Sequence, residues 1–125
     1  MKNRGSVLVV DDDEDVCDAI RESLEDAGYD VAVAENGAQA LATLRASEIR
    51  PALVLLDLMM PIMDGAQFLR EVRADDELRD LTVVLFSADG GAHANATTLG
   101  ANEGLRKPVQ LRDLLAMVEK HVTLE

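Results

Sequence analysis

Polar residues follow several short, strand-like runs in this chain, each at the point where the run ends. Asp11 and Asp12 come directly after SVLVV, Asp57 after ALVLL, Ser87 after TVVLF, and Lys107 after EGLR. If these runs are parallel strands of one sheet, their carboxyl ends lie at the same edge. Three carboxylates, a hydroxyl and an ammonium group would then converge at that edge.

The chemistry open to such a set is restricted. Three close carboxylates repel one another, so they favour a bound cation. Oxygen ligands without His or Cys favour Mg²⁺ or a similar hard ion. A metal beside Lys107 makes a positive pocket suited to a phosphoryl group, and a carboxylate held there can act as a nucleophile and form an acyl phosphate. The metal, ammonium and hydroxyl would stabilise the phosphoryl oxygens during transfer.

The elements that must position these residues alternate along the whole chain. Apolar or alternating runs predict five strands: Ser6–Val10, Asp30–Ala34, Ala52–Leu56, Thr82–Phe86 and Glu103–Arg106. Amphipathic stretches between and after them predict helices: one capped by Asp13 and ended by Gly28, then Gly37–Ser47, one containing Phe68, Leu69 and Val72, a weak Ala92–Leu99, and Gln110–Val122 with Leu111, Leu114, Leu115, Val118 and Val122 on one face. Strict alternation predicts an α/β fold with a five-stranded parallel sheet, doubly wound, and helices on both faces.

Size and composition set limits on the function. The 125 residues suit a single domain, 1–125, and the 48% of apolar residues can fill its core. A net charge of −12 and only 2% aromatic residues disfavour direct contact with nucleic acid or with a membrane surface. Cys17 is the only cysteine, which excludes an internal disulfide and fits a cytoplasmic location.

Four segments resemble the response-regulator receiver domain of two-component signalling: VLVVDDDEDV (7–16), LVLLDLMMPIMDG (53–65), VVLFSA (83–88) and GANEGLRKPV (100–109). The resemblance covers essentially the whole chain. The strand-end Asp57, followed by Pro61 and Gly65, carries most of it. It implies a flavodoxin-like strand order of 2-1-3-4-5 in a three-layer α/β/α sandwich.

The resemblance also implies roles for individual residues. Asp57 would be the phosphoacceptor. Mg²⁺ would be bound by the carboxylates of Asp12 and Asp57 and by the main-chain carbonyl of Met59, with Asp11 acting through water. Ser87 and Lys107 would contact phosphoryl oxygens, and Pro108 would fix the lysine loop, usually through a cis bond. The expected partners are a sensor histidine kinase or histidine phosphotransfer protein as donor, and a protein that responds downstream.

The sequence departs from the family pattern on the surface that usually carries the output. Gly104 stands three residues before the lysine, where the family usually has an aromatic switch residue, and Val109 replaces the usual Phe. The segment from Ser87 to Lys107 is about two residues shorter than the family norm, which together with Gly90-Gly91 predicts a remodelled fourth helix. Met59 and Asp89 flank the site at positions that the family uses to tune the lifetime of the acyl phosphate.

Three other functions compete with a phosphorylation-dependent switch. The altered output surface is compatible with an interaction module that no longer depends on phosphorylation. A phosphatase of the haloacid dehalogenase type would use similar residues, but its nucleophile follows the first strand, and an enzyme is not expected beyond slow self-dephosphorylation. Calcium binding by an EF-hand loop at Asp11-x-Asp13-x-Asp15 is rejected, because Val16 stands where that loop needs Gly.

Overall fold

A computed structural model describes residues 5–47, 50–88 and 95–122. Five strands form one parallel sheet in the order β2-β1-β3-β4-β5, as the resemblance implied. The strands are β1 (Ser6–Val10), β2 (Asp30–Ala34), β3 (Leu53–Asp57), β4 (Val83–Ser87) and β5 (Glu103–Arg106). β3 is the central strand and is buried along its whole length, which agrees with its uniformly apolar sequence.

Helices cover both faces of the sheet. Within the described ranges they are α1 (Glu14–Asp26), α2 (Gly37–Ala46), α3 (Gly65–Ala74), α4 (Ala96–Leu99) and α5 (Leu111–His121). Asp13 caps α1 as predicted, because its side chain accepts hydrogen bonds from the backbone N–H groups of Asp15 and Val16. Gly28 follows that helix with a φ of +101°, a left-handed conformation that glycine adopts without strain.

Alternation along the strands divides the core into two layers. Val7 and Val9 of β1 and Leu53 and Leu55 of β3 pack with α1 and α5 on one face of the sheet. Their neighbours in sequence, such as Leu8 and Val10, pack with α2, α3 and α4 on the other face. A side chain near a strand end can therefore be assigned to one layer by its position in the alternation.

The structure corrects several predicted boundaries. β3 and β4 each begin and end one residue later than predicted, so Asp57 and Ser87 are the last residues of their strands. Both residues pair with the neighbouring strand as regular sheet residues. A prediction that ends each strand at its last apolar residue misses them, because both are polar. α2 ends at Ala46, and Ser47 is its C-cap.

Leu111 begins the predicted apolar face of the last helix, but it is not buried with the other residues of that face. Its side chain is 41% exposed, because it is the first residue of α5, whereas Leu114 and Val118 in the following turns are buried. Leu115 is only partly buried against the same layer.

The described part of the fourth helix is limited to the single turn Ala96–Leu99. Asp89, Gly90-Gly91, His93 and the start of the predicted helix at Ala92 lie outside the described residues. Among the helices that the structure describes, none is long and apolar enough to cross a membrane.

Candidate phosphoryl-accepting site

Three carboxylates meet at the carboxyl edge of the sheet. Asp11 and Asp12 follow β1, and Asp57 ends the adjacent strand β3. One carboxylate oxygen of each lies within 4.8 Å of the other two. Asp11 and Asp57 are only 2% and 5% exposed, while Asp12 is open to solvent.

Lys107 brings a positive charge to the same edge. It follows β5, and its Nζ lies 3.1 Å from Oδ2 of Asp11 and 3.4 Å from Oδ1 of Asp57. Its backbone N–H donates a hydrogen bond of 2.8 Å to the Ser87 carbonyl, which holds the lysine loop against the end of β4. The bond between Lys107 and Pro108 is cis, as the resemblance implied.

The Asp57 carboxylate is destabilised in this environment. Burial, together with the charge of Asp11, raises its pKa to about 6, although Lys107 and a hydrogen bond from the Met59 backbone act in the opposite direction. For Lys107, burial alone would lower the pKa, but Asp57 and Asp11 outweigh it and the pKa is raised. The lysine is therefore charged at neutral pH, while the carboxylates still carry excess negative charge.

The donor set fits a divalent cation. Three carboxylates and one ammonium leave a formal charge of −2, and two of the carboxylates are removed from water. A metal of charge +2 would cancel this excess and lower the pKa of Asp57. With oxygen donors alone, and with Asp12 open to solvent so that bound water can be kept, the site suits Mg²⁺.

The segment after Asp57 is held by tight backbone packing. A Cβ atom at Gly65 would lie 2.7 Å from the Asp57 carbonyl oxygen and 2.9 Å from Cα of Leu58, so no other residue fits without a shift of the backbone. The Gly65 N–H also donates to the Leu58 carbonyl at 2.8 Å. Asp64 and Gln67 form a capping box that starts α3 at this contact. The glycine eight residues after Asp57 thus has a steric explanation.

The other predicted site residues differ in their burial and in their distance from the three carboxylates. Ser87 is buried at the end of β4, beside the end of β3. Met59 lies in the loop after Asp57 and is 68% exposed. That its main-chain carbonyl binds Mg²⁺ stays a prediction. Gly104 pairs with Leu85 inside the sheet, so the position of the usual switch aromatic carries no side chain. Asp12 is near enough to share a cation with Asp11 and Asp57.

Two contacts of the site escaped the sequence analysis. Lys107 Nζ lies 4.9 Å from the centroid of the Phe86 ring, and the buried Cys17 Sγ donates to the Asp11 carbonyl at 3.3 Å. Burial, aided by nearby carboxylates, raises the pKa of Cys17 to about 12, which makes the thiol unreactive. Alternation along β4 places Phe86 on the opposite face from Ser87, but its position beside Asp57 depends on the register of β3 and β4.

Arg73 was also missed, at the opposite end of the sheet. Its guanidinium donates to the carbonyls of Gly100, Arg79 and Leu81 at 2.7–2.8 Å and to the Asn102 side chain at 3.1 Å. It thus joins the end of α3 to the segments that enter β4 and β5. A single arginine in an amphipathic helix gives no sequence signal of such a role.

Known proteins are similar to this chain in sequence and in fold. Residues 7–119 match the family model of the response regulator receiver domain. The chain is 39% identical over 115 residues to the transcriptional regulatory protein PrrA of Mycobacterium tuberculosis, covering 90% of this chain and 48% of that protein. It is 40% identical over 112 residues to the response regulator MprA of Mycolicibacterium vanbaalenii, covering 88% and 47%. The chain thus spans about half the length of these regulators.

Solved structures agree with this assignment. The chemotaxis response regulator CheY4 of Vibrio cholerae is 27% identical with a TM-score of 0.82, over 96% of this chain and 98% of that one. The response regulator TrrA of Thermotoga maritima, solved in complex with Mg²⁺ and BeF, is 29% identical with a TM-score of 0.80, over 96% and 98%. With the sequence match, the strand order and the acidic edge of the sheet in agreement, the chain belongs to the family of response regulator receiver domains.

Proposed function

We propose that the chain is one receiver domain whose Asp57 accepts a phosphoryl group, with Mg²⁺, from a histidine kinase or a histidine phosphotransfer protein. The observation that carries the proposal is the environment of Asp57: a buried carboxylate within 4.8 Å of two others and 3.4 Å from a lysine ammonium. Such an arrangement is costly for stability and serves no packing purpose, which is typical of a functional site.

The proposed reaction follows from this geometry. A carboxylate oxygen of Asp57 attacks the phosphorus, the bond from phosphorus to the donor's histidine nitrogen breaks, and an acyl phosphate forms on Asp57. When bound, Mg²⁺ would neutralise the acidic residues and draw charge from the phosphoryl oxygens. Lys107 exchanges its contact with Asp57 for a phosphoryl oxygen, and the Ser87 hydroxyl, at the end of the adjacent strand, donates to another.

The ligands in this proposal are the carboxylates of Asp11, Asp12 and Asp57 and the Met59 carbonyl. Asp11 is the least exposed of the carboxylates and already accepts from Lys107 and from the Asp13 backbone, so it suits contact through water. Receiver domains act as signalling modules, and we expect no turnover here beyond slow loss of the phosphoryl group. A kinase-dependent switch of this kind acts in the cytoplasm and changes the affinity for a downstream protein.

A second candidate is an interaction module that is independent of phosphorylation. Gly104 favours it, because a residue without a side chain cannot change rotamer in response to Ser87. Binding of a protein partner by the wild type and by Asp57→Asn, each with and without phosphoryl donor, separates the two functions. Affinity that the donor leaves unchanged in the wild type would support the second candidate.

The direct test is incubation with Mg²⁺ and acetyl phosphate, followed by intact-protein mass spectrometry and NMR with beryllofluoride. We expect the mass of one phosphoryl group on the wild type, none on Asp57→Asn, and no modification when EDTA removes the metal. Asp76→Asn, which changes a highly exposed carboxylate, is the matched control and should be modified like the wild type. A wild-type protein without modification at Asp57 would refute the proposal.

A further inference from the structure

Phe86 lies beside the phosphoacceptor on the same face of the sheet. It is the penultimate residue of β4, 2% exposed, and its register partners are Asp57 in β3 and Leu105 in β5. Register partners in a parallel sheet direct their side chains to the same face. Phe86 and Leu105 both pack in the layer under α1 and α5, so the ring occupies the space between Asp57 and the β5 strand.

Lys107 completes this row. It follows Leu105 by two residues, and its ammonium lies 4.9 Å from the ring centroid of Phe86. This distance is within the range of a favourable interaction between a cation and the negative face of an aromatic ring. The ammonium is therefore held between two carboxylates, Asp11 and Asp57, and one ring face.

The ring matters because a lysine has a long, flexible stem. The Lys107 side chain is 25% exposed and borders an open groove of about 470 Å³ lined by Val16, Ile20, Pro108 and Leu111, among others. Without an anchor beneath it, the ammonium could turn from the carboxylates towards water and gain hydration and rotational freedom. A phosphoryl group arriving at Asp57 would then have to recruit the lysine at an entropic cost.

We propose that Phe86 is a positioning residue for phosphorylation, whose ring holds the Lys107 ammonium where the incoming phosphoryl oxygen needs it. This inference rests on the proposed function, since it assigns a role to Phe86 in that same reaction. Phe86 makes no bond to the phosphoryl group and acts only through Lys107. The usual aromatic switch position is Gly104 in this chain. The aromatic residue that contacts the site is instead Phe86.

A purely packing role makes different predictions. Phe86 belongs to the buried core, so its replacement by Leu lowers stability whatever Lys107 does. A positioning role requires the negative face of the ring and requires the lysine. Replacement of Phe86 by trifluorophenylalanine keeps the shape and apolar character of the ring but removes much of the negative charge on its face.

The test compares phosphorylation by acetyl phosphate with Mg²⁺ in five proteins: wild type, Phe86→Leu, the trifluorophenylalanine variant, Lys107→Met, and Phe86→Leu combined with Lys107→Met. Lys107→Met alone is the reference for the last. We expect phosphorylation rates about fivefold lower in both single variants at Phe86, the size of a partly exposed cation–π contact. In the Lys107→Met background, Phe86→Leu should cause no further loss.

A second readout needs no metal and no reaction. The ε-methylene protons of Lys107 in the metal-free protein should show an upfield ring-current shift by NMR, and Phe86→Leu should remove it.

A full phosphorylation rate in the trifluorophenylalanine variant, or an equal loss from Phe86→Leu with and without Lys107, would overturn the positioning role while Asp57 still accepts phosphate. A wild-type chain that stays unmodified overturns the proposed function and this inference together.

Discussion

Neutralising Asp57 should stabilise the metal-free protein. Most substitutions of a buried residue destabilise a fold, because they leave a cavity or an unpaired group. Asp57→Asn keeps the volume of the side chain and removes a charge that is buried beside Asp11. Lys107 also pairs with Asp11 at 3.1 Å, so we expect the substitution to leave no unpaired ammonium.

The magnitude follows from the pKa of Asp57, which burial and Asp11 raise from 3.8 to about 6. The folded state binds the proton more tightly than the unfolded state, so the contribution of Asp57 to stability is most favourable below pH 3.8 and is lost as the pH rises to 6. A shift of about two pH units corresponds to an upper limit of about 3 kcal/mol. Because water reaches the mouth of the site, we expect Asp57→Asn to gain about 2 kcal/mol in free energy of unfolding at pH 7.5.

Urea denaturation in EDTA, followed by circular dichroism at pH 7.5 and at pH 5, measures this effect. The gain should shrink at pH 5, where the wild-type carboxylate is largely protonated. Saturating Mg²⁺ should reduce the difference in free energy of unfolding between variant and wild type at pH 7.5, because the ion binds the folded wild type more tightly than the variant. Asp76→Asn, at an exposed carboxylate, should show neither effect. An Asp57→Asn protein no more stable than wild type in EDTA at pH 7.5 would show that the carboxylate is not destabilised.

Three further predictions concern single side chains. Asp12→Ala should weaken Mg²⁺ binding at least tenfold by isothermal titration calorimetry while changing stability in EDTA by less than about 0.5 kcal/mol, since the side chain is exposed. Gly65→Ala should lower the free energy of unfolding by about 2 kcal/mol, because its Cβ would lie 2.7 Å from the Asp57 carbonyl oxygen. Arg73→Ala should cost about 3 kcal/mol in urea denaturation through the loss of its hydrogen bonds to carbonyls at the base of the sheet.

Control variants separate these effects from a general loss of stability caused by any substitution in the same place. Ala66→Gly, one residue into α3, tests whether any change at the start of this helix is harmful; it should cost less than Gly65→Ala. Arg73→Lys keeps the charge but not the planar set of donors, so it should recover only part of the lost stability. Wild-type stability in Arg73→Ala, or wild-type Mg²⁺ affinity in Asp12→Ala, would contradict the reasoning for that residue.

Much of the fold could be predicted because its main signals are local. The apolar run of β3, the cap at Asp13 and the glycine at position 28 each specify one element without knowledge of the rest of the chain. The strand-end rule then brought Asp11, Asp57 and Lys107 to one edge, and the contacts of 3.1 and 3.4 Å agree with it. The strand order itself came from the family resemblance.

The sequence could not supply contacts that depend on neighbouring strands. The ring of Phe86 under Lys107 requires the register of β3, β4 and β5, and the contacts of Arg73 join segments up to 29 residues apart. The ends of β3 and β4 were placed one residue early, because polar Asp57 and Ser87 continue the sheet pairing beyond the apolar run. The exposure of Leu111 depends on where α5 starts relative to the sheet.

The contact of Gly65 with the backbone of Asp57 has a mechanical consequence. Because a Cβ atom at Gly65 would lie 2.7 Å from the Asp57 carbonyl oxygen, the start of α3 packs directly against the strand that carries Asp57, and this side of the site leaves little space for the phosphoryl group proposed for Asp57. On the other side of the site, Lys107 and Pro108 border an open groove, so the segment after β5 has more space to move. Displacement by the added group should therefore be taken up on the side of β5 and α5, and α3 should behave as a fixed support.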